Sequence, residues 1–328
     1  MIDGKIVGDL HSHALINMTY LRKDLSRRRN PPFLWNPLRN HIDLPRLKEG
    51  GVDFQVFTVY APCGFPWRSS FRAAQAQVSA FESFVRRNSD KIGHARSAKD
   101  IQALNSQGKI AALLAVEGGH HLDGKIENLE YFKDKGAVYL TLTHFVDNDI
   151  AGACFTGNKG LTKFGRDVLK ALEKLGILPD VAHCSEKAFK EVIDLYNGPV
   201  LYTHGGARQF CNIPRNLSFD QTKMIAQKKG LTGIIFHSLY LKKLSLFGGL
   251  EQIVDTAKYI RDKVGVQTLC FGSDLDGYIW TVRGIKDVSS FPLLIEALSR
   301  GFSQDELRAI AGENILRVLH GSQALRSS

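Results

Sequence analysis

"IAALLAVEGG", residues 110–119, is apolar without a break from Ile110 to Val116 and then turns to Glu117. A strand sends alternate side chains to opposite faces, so an unbroken apolar run means that both faces are covered, as in a buried parallel strand. Seven more runs read as strands: 5–11 (KIVGDLH), 52–60 (VDFQVFTVY), 137–144 (AVYLTLTH), 177–183 (ILPDVAH), 199–204 (PVLYTH), 231–238 (LTGIIFHS) and 268–274 (TLCFGSD). Helical patterns separate most of them, as at 70–90, 162–176, 185–198 and 249–265. Asp220 with Gln221 opens another, ending at Gly230. A last pair, 291–301 and 303–321, follows the eighth run, and Ser303 with Glu306 has the spacing of a capping box. Eight strands alternating with helices predict an α/β fold, the (β/α)8 TIM-type barrel. No Pro/Gly/Ser-rich linker divides the chain, so 1–328 reads as a single domain. Long loops are expected after strands 1, 2 and 4, at 14–47, 61–70 and 146–160.

With 328 residues, 44% of them hydrophobic, the chain is long enough to bury a large core. No apolar run approaches the ~18 residues of a membrane span, so no membrane partner is expected. The start is too acidic and too briefly apolar for a secretory leader, and the polar end "GSQALRSS" lacks the tail that precedes lipid anchoring. Cysteines 63, 154, 184, 211 and 270 form no C-x-x-C pair and read as reduced thiols of a cytoplasmic protein. Part of the net charge of +10 lies in "LRKDLSRRRNPP", residues 21–32. Without a helix-turn-helix, zinc-finger or aromatic-basic pattern this argues for no nucleic-acid partner. It reads as a solvated loop that at most favours anionic ligands.

The strand ends are polar in a particular way. His11 and His13 end strand one, Glu117 strand three, His144 strand four, His183 strand five, His204 strand six, His237 strand seven and Asp274 strand eight. Side chains two apart on a strand share a face, so His11 and His13 stand together. In a barrel of this type the carboxyl-terminal rim is where catalytic groups converge. One histidine there would be an ordinary core residue; six of the eleven at that rim point to a divalent metal. His11, His13, Glu117, His183 and His204 are one ligand more than a tetrahedral ion takes. Glu117 has two oxygens with which to bridge two divalent ions, zinc foremost (Mn, Fe or Co also suit), roughly 3.5–4 Å apart around a shared, activated water.

The ordered motifs "DLPRLKEGGVDFQVFTVY", "VEGGH", "YLTLTH", "GLTKFGRDVLKALEKLGILPDVAHCS", "THGGAR", "PRNLSFDQ", "FGSDLDG" and "AGENILRVL" run through nearly the whole chain. Together they resemble the renal-type (membrane) dipeptidases, binuclear zinc hydrolases on an amidohydrolase-like barrel. The resemblance implies that Glu117 is the bridging carboxylate, His183 and His204 ligands of the second ion, and His11 a ligand of the first. It also makes His144 the histidine beside substrate and reaction centre, Arg215 the guanidinium holding the substrate carboxylate, and Asp274 the acid/base of strand eight. One position departs: the family usually reads His-x-Asp where this chain has His11-Ser12-His13. The exchange removes one negative charge, which bears on the affinity and identity of the first ion and on the acidity of its water. His-x-His is usual among amidohydrolases at large, so His13 is kept as a ligand.

Other residues have plainer readings. His237 is expected to support neighbours rather than touch substrate, Asp276 to make a turn, and His120 and His121 to lie off the metal. Cys154 and Cys184 are assigned to packing. The function expected is hydrolysis of a small dipeptide-like substrate, with a homodimer admitted. The alternatives are an amidohydrolase acting on a lactam, lactone or other small amide, a biosynthetic tailoring enzyme, or a binding protein that kept the barrel.

Overall fold

The computed structural model describes residues 6–28, 39–61, 69–243 and 245–324. Its strands are β1 (Gly8–Asp9), β2 (Phe54–Val59), β3 (Ile92–His94), β4 (Ile110–Glu117), β5 (Ala137–Thr141), β6 (Leu178–Asp180), β7 (Leu201–Gly205), β8 (Leu231–Ile234) and β9 (Leu269–Phe271). All pair in parallel in the order β1-β2-β4-β5-β6-β7-β8-β9. The ring closes between its ends through Leu10 N to Phe271 O (2.9 Å), Asp274 N to His11 O (3.0 Å) and His13 N to Leu275 O (2.9 Å). This is the (β/α)8 barrel that the apolar runs predict. β3, which pairs with β4 off the ring, was not expected: it is three residues long and only Ile92 is buried.

Period two sorts the core. Ala111, Leu113 and Ala115 of β4 join Phe54, Val56, Tyr139, Leu178, Leu201, Leu231 and Cys270 in one cluster, the barrel interior. Ala112, Leu114 and Val116 join the larger cluster between sheet and helices. Glu117 continues the odd series and so faces inward, at the carboxyl end. The interior is tight: a Cβ on Gly233 or on Gly272 would stand 1.8 Å from the Thr203 carbonyl oxygen, so only glycine lets β7, β8 and β9 approach there.

Helix ends follow local chemistry. The helix Lys163–Leu175 starts under the Thr162 side chain and stops at Gly176, whose φ of 63° a Cβ would oppose. The helix Phe219–Gln227 opens at Ser218 with a Ser218–Gln221 capping box, two residues before the expected Asp220, and ends before Gly230. The Ser303–Glu306 box forms as expected. The first long connection is not all loop: it holds the helix Ala14–Thr19 and the start of Leu44–Glu49, which the Asp43 side chain caps. The connection at 146–160 is pinned by bridges from Ala151 to Leu161 and from Ala153 to Cys184. Residues 29–38 of the first connection and 62–68 of the second, Cys63 among them, lie outside the described residues. No described helix is long and apolar enough to cross a membrane.

Candidate metal centre

Five of the rim residues named from sequence meet at one point. His11 Nε2 and His13 Nε2 are 3.3 Å apart, and His183 Nε2 and His204 Nε2 3.1 Å. Between the pairs lies Glu117, fully buried. Its Oε2 is 3.1 Å from His13 Nε2; its Oε1 is 3.3, 3.4 and 3.6 Å from Nε2 of His183, His204 and His11. Two groupings able to hold an ion, His11–His13–Glu117 and Glu117–His183–His204, therefore share one carboxylate. A third, His11–His204–Asp274, brings in the strand-eight aspartate, whose Oδ1 is 3.2 Å from His13 Nε2.

The far sides of the rings show which nitrogen carries the hydrogen. The Tyr139 hydroxyl donates its one hydrogen to Leu10 O (2.9 Å), so at 2.8 Å it accepts from His11 Nδ1–H. The Thr203 hydroxyl donates to Asp180 Oδ2 (2.7 Å) and accepts from His204 Nδ1–H at 2.9 Å. Asp180 is held in turn by Thr141 Oγ1 and the backbone N–H groups of Ala182 and Thr203. Both relays leave a bare lone pair on Nε2, directed at Glu117. That is how a ligating imidazole is usually set. His13 and His183 differ, because their buried Nδ1 atoms have no hydrogen-bond partner.

A divalent cation fits this donor set. Both Glu117 oxygens are buried without a hydrogen-bond donor, although an unpaired buried carboxylate is costly. Burial alone would raise the Glu117 pKa, but His11, His13 and His144 overcome it and hold the carboxyl well below the ordinary range. Burial likewise opposes charge on His13, yet Glu117 and Asp274 push its pKa up to about 10. The field at this point demands positive charge. Burial keeps His183 and His204 neutral, helped by Arg215 beside the first and His11 beside the second, so each keeps an Nε2 lone pair, which on His183 accepts from Arg215 Nη2 at 3.2 Å.

Above the cluster opens a cavity of about 890 Å³, lined by His13, His183, His204 and Asp274 and also by His144, Arg215 and His237. Burial lowers the His144 pKa to about 4, and its Nδ1 is 3.0 Å from the Tyr60 hydroxyl. Arg215 is buried; Nη1 donates to Tyr202 Oη (2.9 Å) and Nη2 to His204 O (2.7 Å), while Nε has no partner. His237 Nδ1 donates to Trp280 O (3.2 Å), and the ring belongs to none of the ion-holding groupings. His120 and His121 are occupied by Ala61 and Ser70, off the cluster. The Asp276 side chain accepts from the His41 backbone N–H at 2.7 Å, a contact across 235 residues to the first connection rather than the local turn expected of it. Cys184 accepts a hydrogen bond from Thr143 (3.6 Å), and burial pushes its thiol up to about 12, as suits packing.

Sequence reasoning missed Tyr60, Tyr139, Thr203 and Asp180. Tyr60 directly follows β2 and Thr203 directly precedes His204, so position at a strand end was an available signal for both. Tyr139 and Asp180 lie one or two turns of pleat deeper, where an apolar residue is the ordinary expectation.

The chain matches the family model described as "Membrane dipeptidase (Peptidase family M19)" over residues 5–328. It is 30% identical over 301 residues to dipeptidase 3 of Mus musculus, which covers 89% of this chain and 60% of the mouse protein, so the chain spans less than two thirds of that relative. It is also 30% identical over 299 residues to dipeptidase verJ of Clonostachys rogersoniana, covering 85% of this chain and 75% of that one. Among solved structures, a metallo peptidase from Rhodobacter sphaeroides shares the fold, with a TM-score of 0.88 at 24% identity over 98% of this chain and 100% of the other.

Proposed function

The chain belongs to the membrane dipeptidase family, and from that premise we propose that it is a metal-dependent dipeptidase, cleaving the amide bond of dipeptides or close analogues. The observation that carries this reading is the convergence of four imidazoles on the bare carboxylate of Glu117, at the floor of a cavity that also presents Arg215. His11, His13 and Glu117 would hold one ion, and Glu117, His183 and His204 the second; zinc suits these donors best. When bound, such ions supply Lewis acidity, polarising the scissile carbonyl and lowering the pKa of a water from 15.7 towards about 7.

The chain's own groups do the rest. Arg215, with Nε unpartnered, takes the free carboxylate of the substrate and so selects for length. Asp274, beside His13 on the cavity wall, accepts the proton of the attacking water and returns it to the leaving amine. His144 is neutral and its Nδ1 is hydrogen-bonded to the Tyr60 hydroxyl; in the tautomer that carries its hydrogen on Nε2 it would donate to the tetrahedral oxyanion. A lactone, or a lactam without a free carboxylate, would leave Arg215 unused. Residues 1–328 act as one hydrolase domain, and the four described cysteines, buried and unpaired, support a cytoplasmic setting.

The test is elemental analysis of chain purified without chelator, alongside a dipeptide panel. Two ions per chain and turnover abolished by chelation are expected. A folded chain that takes up no more than one ion in excess zinc would refute the bridged pair.

A further inference from the structure

Among the described residues, seven that are not glycine hold a positive φ, a conformation that a Cβ disfavours. Four of the seven line the one cavity above Glu117: His183 (68°), Asp274 (59°), Arg22 (49°) and Tyr278 (58°). Backbone strain persists where the structure around it holds it in place, and it gathers at working sites. His183 and Asp274 already have work there; Arg22 and Tyr278 do not. The two loops that carry the reactive groups continue to them, Arg22 nine residues after His13 and Tyr278 four after Asp274. Both are exposed and so stand at the mouth.

Charge tells what they would meet. In the basic stretch that includes Arg22, Arg27 pairs with Asp24 and Arg28 with Glu49, whereas Arg22 makes no ion pair among the described residues. The carboxylate on the cavity wall, Asp274, already faces His13. The same cavity is lined by Ile16, Tyr20 and Ile279, none of which carries a charge that would neutralise a cation. We propose that Arg22 and the Tyr278 hydroxyl form a second anion subsite at the mouth, and that the preferred substrates are dipeptides with an acidic side chain besides their free terminal carboxylate. The proposal rests on the dipeptidase reading above. A basic side chain would meet Arg22 as a like charge, and among the described residues the carboxylate lining the cavity, Asp274, is already engaged by His13.

The test uses metal-loaded, full-length protein and non-cleavable reduced-amide analogues of Ala-Ala, Glu-Ala, Ala-Glu and Lys-Ala, titrated by calorimetry, with kcat and KM for the parent peptides. An exposed guanidinium–carboxylate contact is worth about a fivefold gain at most, so one of the two glutamate ligands should bind about three- to fivefold tighter than Ala-Ala at low salt. Lys-Ala should bind more weakly. Arg22→Met should erase the preference through KM while leaving Ala-Ala within about twofold, and Arg22→Lys should restore part of it. Arg22→Gly, which relieves the strain, should erase the preference without lowering Tm, an outcome a purely structural arginine would not give. Equal binding of acidic and neutral ligands, or a preference that survives Arg22→Met, overturns the subsite and leaves the dipeptidase reading standing. Binding of none of the four overturns both.

Discussion

Replacing Tyr139 with Phe removes one oxygen from the barrel interior and keeps the ring that fills it. Two buried groups lose a close partner, the Nδ1–H of His11 and the carbonyl of Leu10, and the Thr58 hydroxyl loses a longer contact of 3.3 Å. At about 1–3 kcal/mol for each unsatisfied group, the metal-free fold should weaken by about 2–6 kcal/mol. The more telling effect is on the ions. Without Tyr139 nothing keeps the hydrogen on Nδ1, and a ring that places it on Nε2 cannot ligate. Loss of such a supporting contact typically costs about 10–100-fold in affinity, or about 1.4–2.7 kcal/mol. Only the ion shared by His11, His13 and Glu117 should suffer; the ion of Glu117, His183 and His204 should stay within about threefold. Thr203→Val cuts the relay between His204 and Asp180, so it should weaken the second ion and spare the first. Competition against a coloured chelator, read as two release steps, resolves the two affinities without recourse to activity. If either substitution weakens both ions alike, or neither, the hydroxyls do not set the tautomers and the reasoning fails.

Arg215→Met should lower kcat/KM on a good dipeptide roughly 10- to 150-fold, the worth of a charge-assisted contact, with little further loss on its carboxyl-terminal amide; equal cleavage of acid and amide by the native chain would count against Arg215. In chelated protein the His13 pKa stands at about 10, against an ordinary 6.5, so the folded chain binds the extra proton between those values. Stability from this group is then full below pH 6.5 and is lost as pH rises through about 10, a slope that His13→Gln should flatten in denaturant titrations at pH 6, 8 and 10. His13→Ala should release the first ion while the second is kept, and His13→Asp should keep both, as metal analysis of dialysed samples would show. Gly272→Ala drives a methyl towards the Thr203 carbonyl and should cost about 1–3 kcal/mol of stability, measurable as a fall in Tm.

How much of this was legible follows from what each feature needs. β4 announces itself because an unbroken apolar run needs no knowledge of its neighbours, and Glu117 at its end stands out by contrast. His11, His13, His183 and His204 could be placed at the rim by counting strands. β3 left no such trace, because three residues with one partner strand and a single buried side chain need no pattern. The Tyr139–His11 contact spans 128 residues of sequence, and periodicity within a strand says nothing of what stands across the barrel. Asp180 is the sharper case. A carboxylate amid apolar strand residues reads as an anomaly until the hydroxyls of Thr141 and Thr203 are seen to surround it. The Ala14–Thr19 helix was hidden for another reason: six residues are too few to show a 3.6-residue period.

The closing seam of the barrel sets an order of assembly. β1 has two residues, and its bonds on that side reach the far end of the chain, with Asp9 accepting from both Ser273 N and Ser273 Oγ across 264 residues of sequence. A ribosome delivers the first strand early and its closing neighbour nearly last. Between the delivery of residue 204 and that of residue 269, then, Glu117, His183 and His204 can gather on strands already paired, while the segment bearing His11 and His13 is held on its β2 side alone. The trio shared by His183 and His204 has all its residues about 65 residues of chain before Leu269 emerges, whereas the backbone bonds that hold His11 and His13 on their other side, to Asp274 and Leu275, form only when the ring shuts. The His11–His13 half of the centre is thus the half whose backbone support depends on closure of the barrel.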